Sequence, residues 1–480
     1  MSSVSTTLPL STPAASSTAS GNASRWWALA IVVAAQFMFV VDAFIVNVAL
    51  PSIRADLHAG ASDMQGVLAF YQIAFAVLVV AGGRLGDIYG SKSIFLTGLI
   101  GFTAASMWCG LAQSGPELVL ARAGQGAAAA LMIPQVLATI HRLFHDGERG
   151  KAFGIYGFTL GFGAAVGFGL GGWLLAANLG GFGWRTVFFV NGPVGFVLAV
   201  GAFAILPRAP RKVGVQLDLV GAALLLAALV CLIDPLLIGA DRGWPAWLLL
   251  PAASGLALLV LFWRSQGWVE ARGGFPLVHR DLLRDRAFSL GLVTAFLLAF
   301  ANISFYLLIT LYMQNQLHYA PLQSGMAVVP VAIAFALVSR AAGPRTQRLG
   351  VRAIVQGCVV SAVGLLALLA TVVTMPEPPI AVLSGVLVIF GAGQAMVMAP
   401  LFGRVLALVP QQHAGSGAGV LSTVTQIGNA AGVAVIGAIY FGLGSSVDAR
   451  IAMALNLALL AVAFVVLAML LRGPRRSPAA

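Results

Sequence analysis

The stretch AFAVLVVAGGRLGDIYGSKSIFLTGLI (74–100) joins two apolar runs through GRLGDIYGSK (83–92), which carries all of its charge. The runs extend to 65–83 and 93–112, each close to the ~20 residues a helix needs to cross a bilayer core of roughly 30 Å. A short, Gly-rich, charged joint between two such runs reads as a membrane helical hairpin. Working outward, the same alternation fills the chain. Apolar runs fall at 26–48, 65–83, 93–112, 116–138, 152–177, 187–206, 218–239, 246–263, 289–313, 322–342, 353–374, 380–403, 415–442 and 451–471. The expected fold is an all-α integral membrane protein with fourteen transmembrane helices.

Composition agrees. Of 480 residues, 60% are hydrophobic and 9% charged, where a soluble domain carries about 25% charged residues. Mean hydropathy is +0.96. The net charge of +12 invites a nucleic-acid reading, but the bases do not cluster on one element. They occupy alternate loops, which is a topology signal.

With the first run entered from the cytoplasm, 22 of the 27 Lys and Arg lie inside, among them Arg25, Arg84, Lys92, Arg142, Lys151, Arg264, Arg340 and Arg404. Only Arg54, Arg185, Arg242 and Arg450 lie outside, and Arg122 is within a span. This bias predicts a cell-membrane protein with both termini cytoplasmic. Trp108, Trp184, Trp244 and Trp247 fall at outer ends and Trp26, Trp27 and Trp263 at inner ends, as interfacial aromatics do. Residues 1–24, rich in Ser, Thr and Ala, are expected to be disordered. They lack the basic start of a signal peptide, so the run after Arg25 is read as the first span.

Two loops match at a constant offset of 260 residues: Gly83, Gly90 and Lys92 against Gly343, Gly350 and Arg352. Both follow the second helix of a six-helix set if runs seven and eight are an insertion. The expected organisation is a six-helix bundle over 25–206, two inserted helices and a cytoplasmic linker over 207–288, a second bundle over 289–471, and a tail over 472–480. Transporters are commonly built from such repeats, with the substrate site between the halves near the midplane. The fifth run of each half is Gly-rich, and small residues let helices approach closely in lipid.

Ionisable groups inside a bilayer are costly and read as functional. Asp42 in the first run and Arg122 in the fourth both sit about six residues from their outer ends, roughly 9 Å deep at 1.5 Å per residue. Equal depth makes them a candidate pair, either a fixed lock between helices or a protonation switch. Asp234, in CLIDPLLIG (231–239) of the inserted seventh run, is a further candidate, with Pro235 expected to break the helix beside it. Gln36, Asn47, Gln72, Gln125, Asn302, Gln394, Gln426 and Asn429 are polar candidates for a cavity or for interhelical bonds. Cys109, Cys231 and Cys358 lie in apolar runs and read as small buried residues. No metal cluster, nucleophile–base set or phosphate-binding loop is seen, so no metal, cofactor or enzymatic activity is implied.

These segments resemble the fourteen-helix drug:proton antiporter branch of the major facilitator superfamily, over 25–471. VVDAFIVNVALP (40–51) is similar to its first-helix signature. GRLGDIYGSK resembles its cytoplasmic gating-loop motif, with Gly83, Asp87, Gly90 and Lys92. LARAGQGAAAA (120–130) resembles the fourth-helix motif with Arg122, Gln125 and Gly126. GAAVGFGLGG (163–172), with Gly163, Gly167, Gly171 and Gly172, resembles the antiporter motif, and WRTVFFVNGP (184–193) the segment after it.

The resemblance implies two pseudo-symmetric six-helix bundles plus two inserted helices. It also implies export of small hydrophobic or cationic compounds in exchange for protons, by alternating access. Asp42, Arg122, Asn47 and Gln125 would then line the proton and substrate path, and the 83–92 loop would latch one state. There are departures: Phe168 stands where the antiporter motif has Pro, Ile88 where a base follows the loop Asp, and Gln347 where the second loop would match Asp87. The first leaves proton symport or uniport of a metabolite open as the alternative.

Overall fold

The computed structural model describes residues 18–144, 146–208, 217–274, 276–278, 280–409, 414–444 and 449–471. Fourteen of its helices are long and apolar enough to span a membrane among the described residues. They are α1 Thr18–Leu57, α2 Ala61–Tyr89, α3 Ser91–Leu111, α4 Gly115–Leu143 and α5 Asp146–Ala177. Then come α6 Gly183–Ile205, α7 Leu219–Arg242, α8 Ala246–Ala271, α9 Arg286–Gln316 and α10 Pro321–Leu349. Last are α11 Val351–Thr374, α12 Ile380–Ala407, α13 Ala414–Gly444 and α14 Ala449–Leu471. Helices are the natural solution because each satisfies its backbone hydrogen bonds internally where no water is present.

Packing reveals the duplication. In the first six helices α4 packs on α2 and α3, α5 on α1, and α6 on α3. In the last six α12 packs on α10 and α11, α13 on α9, and α14 on α11. Adding eight to each helix number turns one set into the other. The halves meet along two seams, α5 with α10 and α2 with α13, which the same rule exchanges. Gly90 and Gly350 both stand at positive φ, 89° and 58°, where they turn the chain from α2 into α3 and from α10 into α11. A residue with a side chain rarely takes that conformation, which is why both loops keep a glycine there.

The inserted helices are not symmetric additions. α7 lies against both α2 and α13, across one seam, and α8 packs chiefly on α7. Asp218 caps α7, accepting from Gly221 N (2.7 Å), and also accepts from buried Gln266 of α8 (2.7 Å). Gln266 in turn accepts from Val278 N (3.1 Å) in the linker.

Three expectations need correction. Residues 18–24, expected to be disordered, are the first turns of α1. Once a long apolar segment nucleates a helix, each further residue gains a hydrogen bond at little cost. Pro235 does not break α7, which runs on to Arg242. In a bundle, neighbours and local adjustment re-satisfy the carbonyl that a proline frees. α1 also continues nine residues beyond its predicted end at 48, because its last turns pack on protein: Ile53 is fully buried and Asp56 accepts from Trp184 Nε1 (2.8 Å) and Arg185 (2.5 Å). Residues 1–17, the linker bases Arg211 and Lys212, and the tail 472–480 lie outside the described residues.

Candidate functional site

Arg84, Lys92, Arg142, Arg264 and Arg340 gather at one end of the bundle, the basic end; the opposite end is the far end. Asp42 of α1 and Arg122 of α4 meet inside the first half, 0% and 1% exposed. Arg122 Nη1 donates to Asp42 Oδ2 (2.6 Å) and to Gln125 Oε1 (2.5 Å), and its Nε donates to Val67 O (3.2 Å). Gln125 Nε2 closes the ring on Asp42 Oδ1 (2.7 Å) and also reaches Ser106 Oγ (2.7 Å). Asn191 Nδ2 of α6 is a third donor to Asp42, at 2.9 Å. The guanidinium lies 4.1 Å from the centre of the Tyr71 ring, a cation–π contact strengthened by desolvation.

Five helices supply this cluster. Arg122 and Gln125 share a face of α4 because residues three apart are helix neighbours. A charge pair so buried is tolerated only when its remaining donors and acceptors are also satisfied, and here Asp42 accepts from three side chains. Asn47 is not part of it. Five residues along α1 turn it about 140° from Asp42, and its amide donates to Ala43 O and Phe44 O of its own helix. Asn191, Ser106 and Tyr71 were not singled out from the sequence as site residues. Only Asn191 had a signal, its place in the WRTVFFVNGP segment.

The glycine motif divides its work. A Cβ at Gly163, Gly167 or Gly171 would press on Val40, Phe44 or Ile45 of α1, within the half. One at Gly172 would strike the backbone of Pro321 and Leu322 of α10, across the seam (2.8 Å). Phe168, in place of proline, is buried between Phe44 and Tyr306 of α9, with ring centroids 5.5 and 5.1 Å away. Phe44 and Tyr306 also touch, 5.3 Å apart, so three aromatic rings bridge the halves. Further toward the far end, the wide turn Tyr312–Gln316 sends Gln314 Nε2 to Val48 O (3.0 Å), and Arg54 lies over the Phe441 ring.

At the basic end, Lys92 Nζ donates to Phe203 O (2.7 Å) near the C-terminal end of α6, where helix carbonyls favour a cation. That tie is internal to the first half. Arg84 makes the longer reach, to Pro276 O (2.5 Å) in the linker before α9. Asp87 is half-buried on the last turn of α2, and the side chain of Gln347 lies outside what is described. Asp234 is half-buried on α7, away from the Asp42 cluster, with no hydrogen bond or ion pair to a described residue. In the second half, 260 residues after Asp42, Asn302 Nδ2 faces Gln394 Oε1 at 3.4 Å.

Two six-helix halves related by pseudo-symmetry, meeting along two seams around innermost helices, define a membrane transporter of the duplicated-bundle class. The sequence profile of the Major Facilitator Superfamily matches residues 32–433, and the chain belongs to that family. It is 40% identical to the probable actinorhodin transporter of Streptomyces coelicolor, over 92% of this chain and 78% of that one. It is 35% identical to the puromycin resistance protein pur8 of Streptomyces alboniger, over 87% and 82%. Among solved structures, a bacterial homologue of the human lysosomal transporter Spinster, inward-facing and unoccupied, superposes with a TM-score of 0.67 at 16% identity, covering 95% of this chain and 99% of that one. The chain is therefore a multi-pass membrane transporter of small molecules, and its curated relatives support a role in drug efflux.

Proposed function

We propose that this protein exports small hydrophobic or cationic compounds in exchange for protons, by alternating access, with Asp42 as the proton-carrying group. The observation that carries the reading is the closed ring around Asp42, a fully buried carboxylate held by Arg122, Gln125 and Asn191. Protonating Asp42 removes the charge that three donors were placed to hold. Arg122 then keeps Val67 O, Gln125 and the Tyr71 ring as partners, and α1 loses its strongest tie to α4. A neutral α1 is free to shift against the aromatic bridge formed by Phe44, Phe168 and Tyr306. Closure at the far end and an ionised Asp42 fit the state left after a proton has been released on the basic side. The charge bias supports reading that side as the cytoplasmic one.

The Gly83–Lys92 corner is read as the gate on that side. Arg84 fastens it to the linker that leads into the second half, and Asp87 tunes it. Asp87→Asn should lower transport at normal expression; full activity in that variant removes Asp87 from the gate. The relatives are described by what they export or resist, which favours export over uptake here. Inverted membrane vesicles test the whole reading. A pH gradient should drive drug accumulation by the wild type and none by Asp42→Asn, and equal accumulation by both sinks it.

A further inference from the structure

At the far end the halves close through two seams that pseudo-symmetry relates. The matching loops place α10 at an offset of 260 residues from α2. Gly163 and Gly167 press on α1 as Gly428 and Gly432 press on α9, which places α13 at an offset of 265 from α5. By these offsets Gly437 corresponds to Gly172, and Gln65 to Gly325. In the α5–α10 seam both positions are glycine and backbone meets backbone. Gly325 lies against Phe168 O, and Gly172 against Pro321 O and Leu322 Cα (2.8 Å each). In the α2–α13 seam a side chain fills the same contact: Gln65 is pressed onto Gly437, where a Cβ would strike its amide.

Gln65 is 0% exposed, and neither its Oε1 nor its Nε2 has a hydrogen-bond partner among the described residues. Among those residues it is the only buried side-chain amide with both polar atoms unpaired. A glutamine pressed on a glycine can do better. Gln135 of α4 sits on Gly86 of α2 in the same way, yet it donates to Gly82 O (2.8 Å). That contact lies inside one half. Gln65 instead lies between the halves, and α7 covers its seam from outside. Other contacts between the halves favour a closed far end: Gln314 on Val48 O, Arg54 over the Phe441 ring, and the glycine contacts of the other seam. A buried amide that gives up water without gaining a partner works against them.

We propose that Gln65 is a conformational counterweight: its amide loses water only when α2 meets α13, and so sets the balance between a closed and an open far end. A group shifts a two-state equilibrium only through a difference in free energy between the states. Gln65 has that difference. Its cost falls on the closed state alone, because parting α2 from α13 returns the amide to water. One unpaired buried amide is enough to move such an equilibrium about tenfold. It offsets Gln314, Arg54 and the glycine contacts, so that closure does not trap the protein. This role does not depend on which compound or ion is carried, only on the halves parting at the far end. The other seam has no equivalent, because Gly325 has no side chain to dehydrate.

The test is amide hydrogen exchange on the full chain in phosphatidylcholine nanodiscs, read by mass spectrometry. Segments 61–66 of α2 and 436–442 of α13 report opening of the far end, and the α3–α4 tip, 109–116, is the control inside one half. Gln65→Met keeps the unbranched shape of the side chain and removes its polar atoms. It should slow exchange in both far-end segments about tenfold and leave the α3–α4 tip within about twofold. Gln65→Glu, read at about pH 8, should speed exchange in the same two segments, because a carboxylate loses more than an amide on leaving water. Unchanged or faster far-end exchange in Gln65→Met overturns the proposal. So does a slowing that the α3–α4 tip shares, which would mark a general gain in stability. If Gln65→Glu does not fold, Gln65→Met decides alone.

Discussion

The two halves share a packing plan but not a chemistry. In the first, Asp42 and Arg122 form a buried ion pair, and Asp42 accepts from Arg122, Gln125 and Asn191. In the second, the residue 260 positions on from Asp42 is Asn302, which faces Gln394 at 3.4 Å. One half carries a group that can change charge, and the other carries a neutral amide, Asn302, at the place related to Asp42. A proton that binds at Asp42 therefore alters one half alone. Under the proposed proton coupling, that asymmetry would leave one half to couple and the other to serve substrate.

The comparison breaks most visibly at Arg122. Arg122→Met leaves Asp42 buried without its cation, and stability in detergent should fall by about 3–5 kcal/mol. Adding Asp42→Asn in the same chain removes the stranded charge and should recover most of that loss. Asn191→Ala removes one of three donors to the carboxylate, a loss of roughly 1.5–3 kcal/mol, while Asp42 keeps Arg122 and Gln125. Thermal unfolding of the purified protein separates these two cases. Asn302→Ala deletes a long neutral contact and should cost at most about 1 kcal/mol, with pH-driven transport unchanged. A loss of coupling in Asn302→Ala would mean the second half shares the proton work.

The sequence carried the helices and the ion pair for related reasons. A span is set by a length of apolar chain, and depth along a span is counted in 1.5 Å steps, so Asp42 and Arg122 could be matched before any contact was known. Helix ends were less legible because α1 continues past the hydrocarbon on contacts with Trp184 and Arg185. Asn47 was a candidate through the first-helix signature it shares with Asp42, and five residues of helix put it on another face from the ion pair. Asn191 and Ser106 were missed because a lone amide or hydroxyl in a span looks the same whether it packs or serves a carboxylate. Nothing in the glycine pattern tells which glycine meets a neighbour and which, like Gly343, meets none.

The central claim is that Asp42 couples protons to transport and does not merely lock α1 to α4. Asp42→Asn makes the first half resemble the second, and its effect can be read in two modes on one preparation. In proteoliposomes, substrate exchange without a pH gradient should persist in Asp42→Asn, because the halves still rock. Accumulation driven by a pH gradient should vanish. Gradient-driven accumulation at the wild-type level in Asp42→Asn would contradict the account and leave the Asp42–Arg122 pair a structural lock.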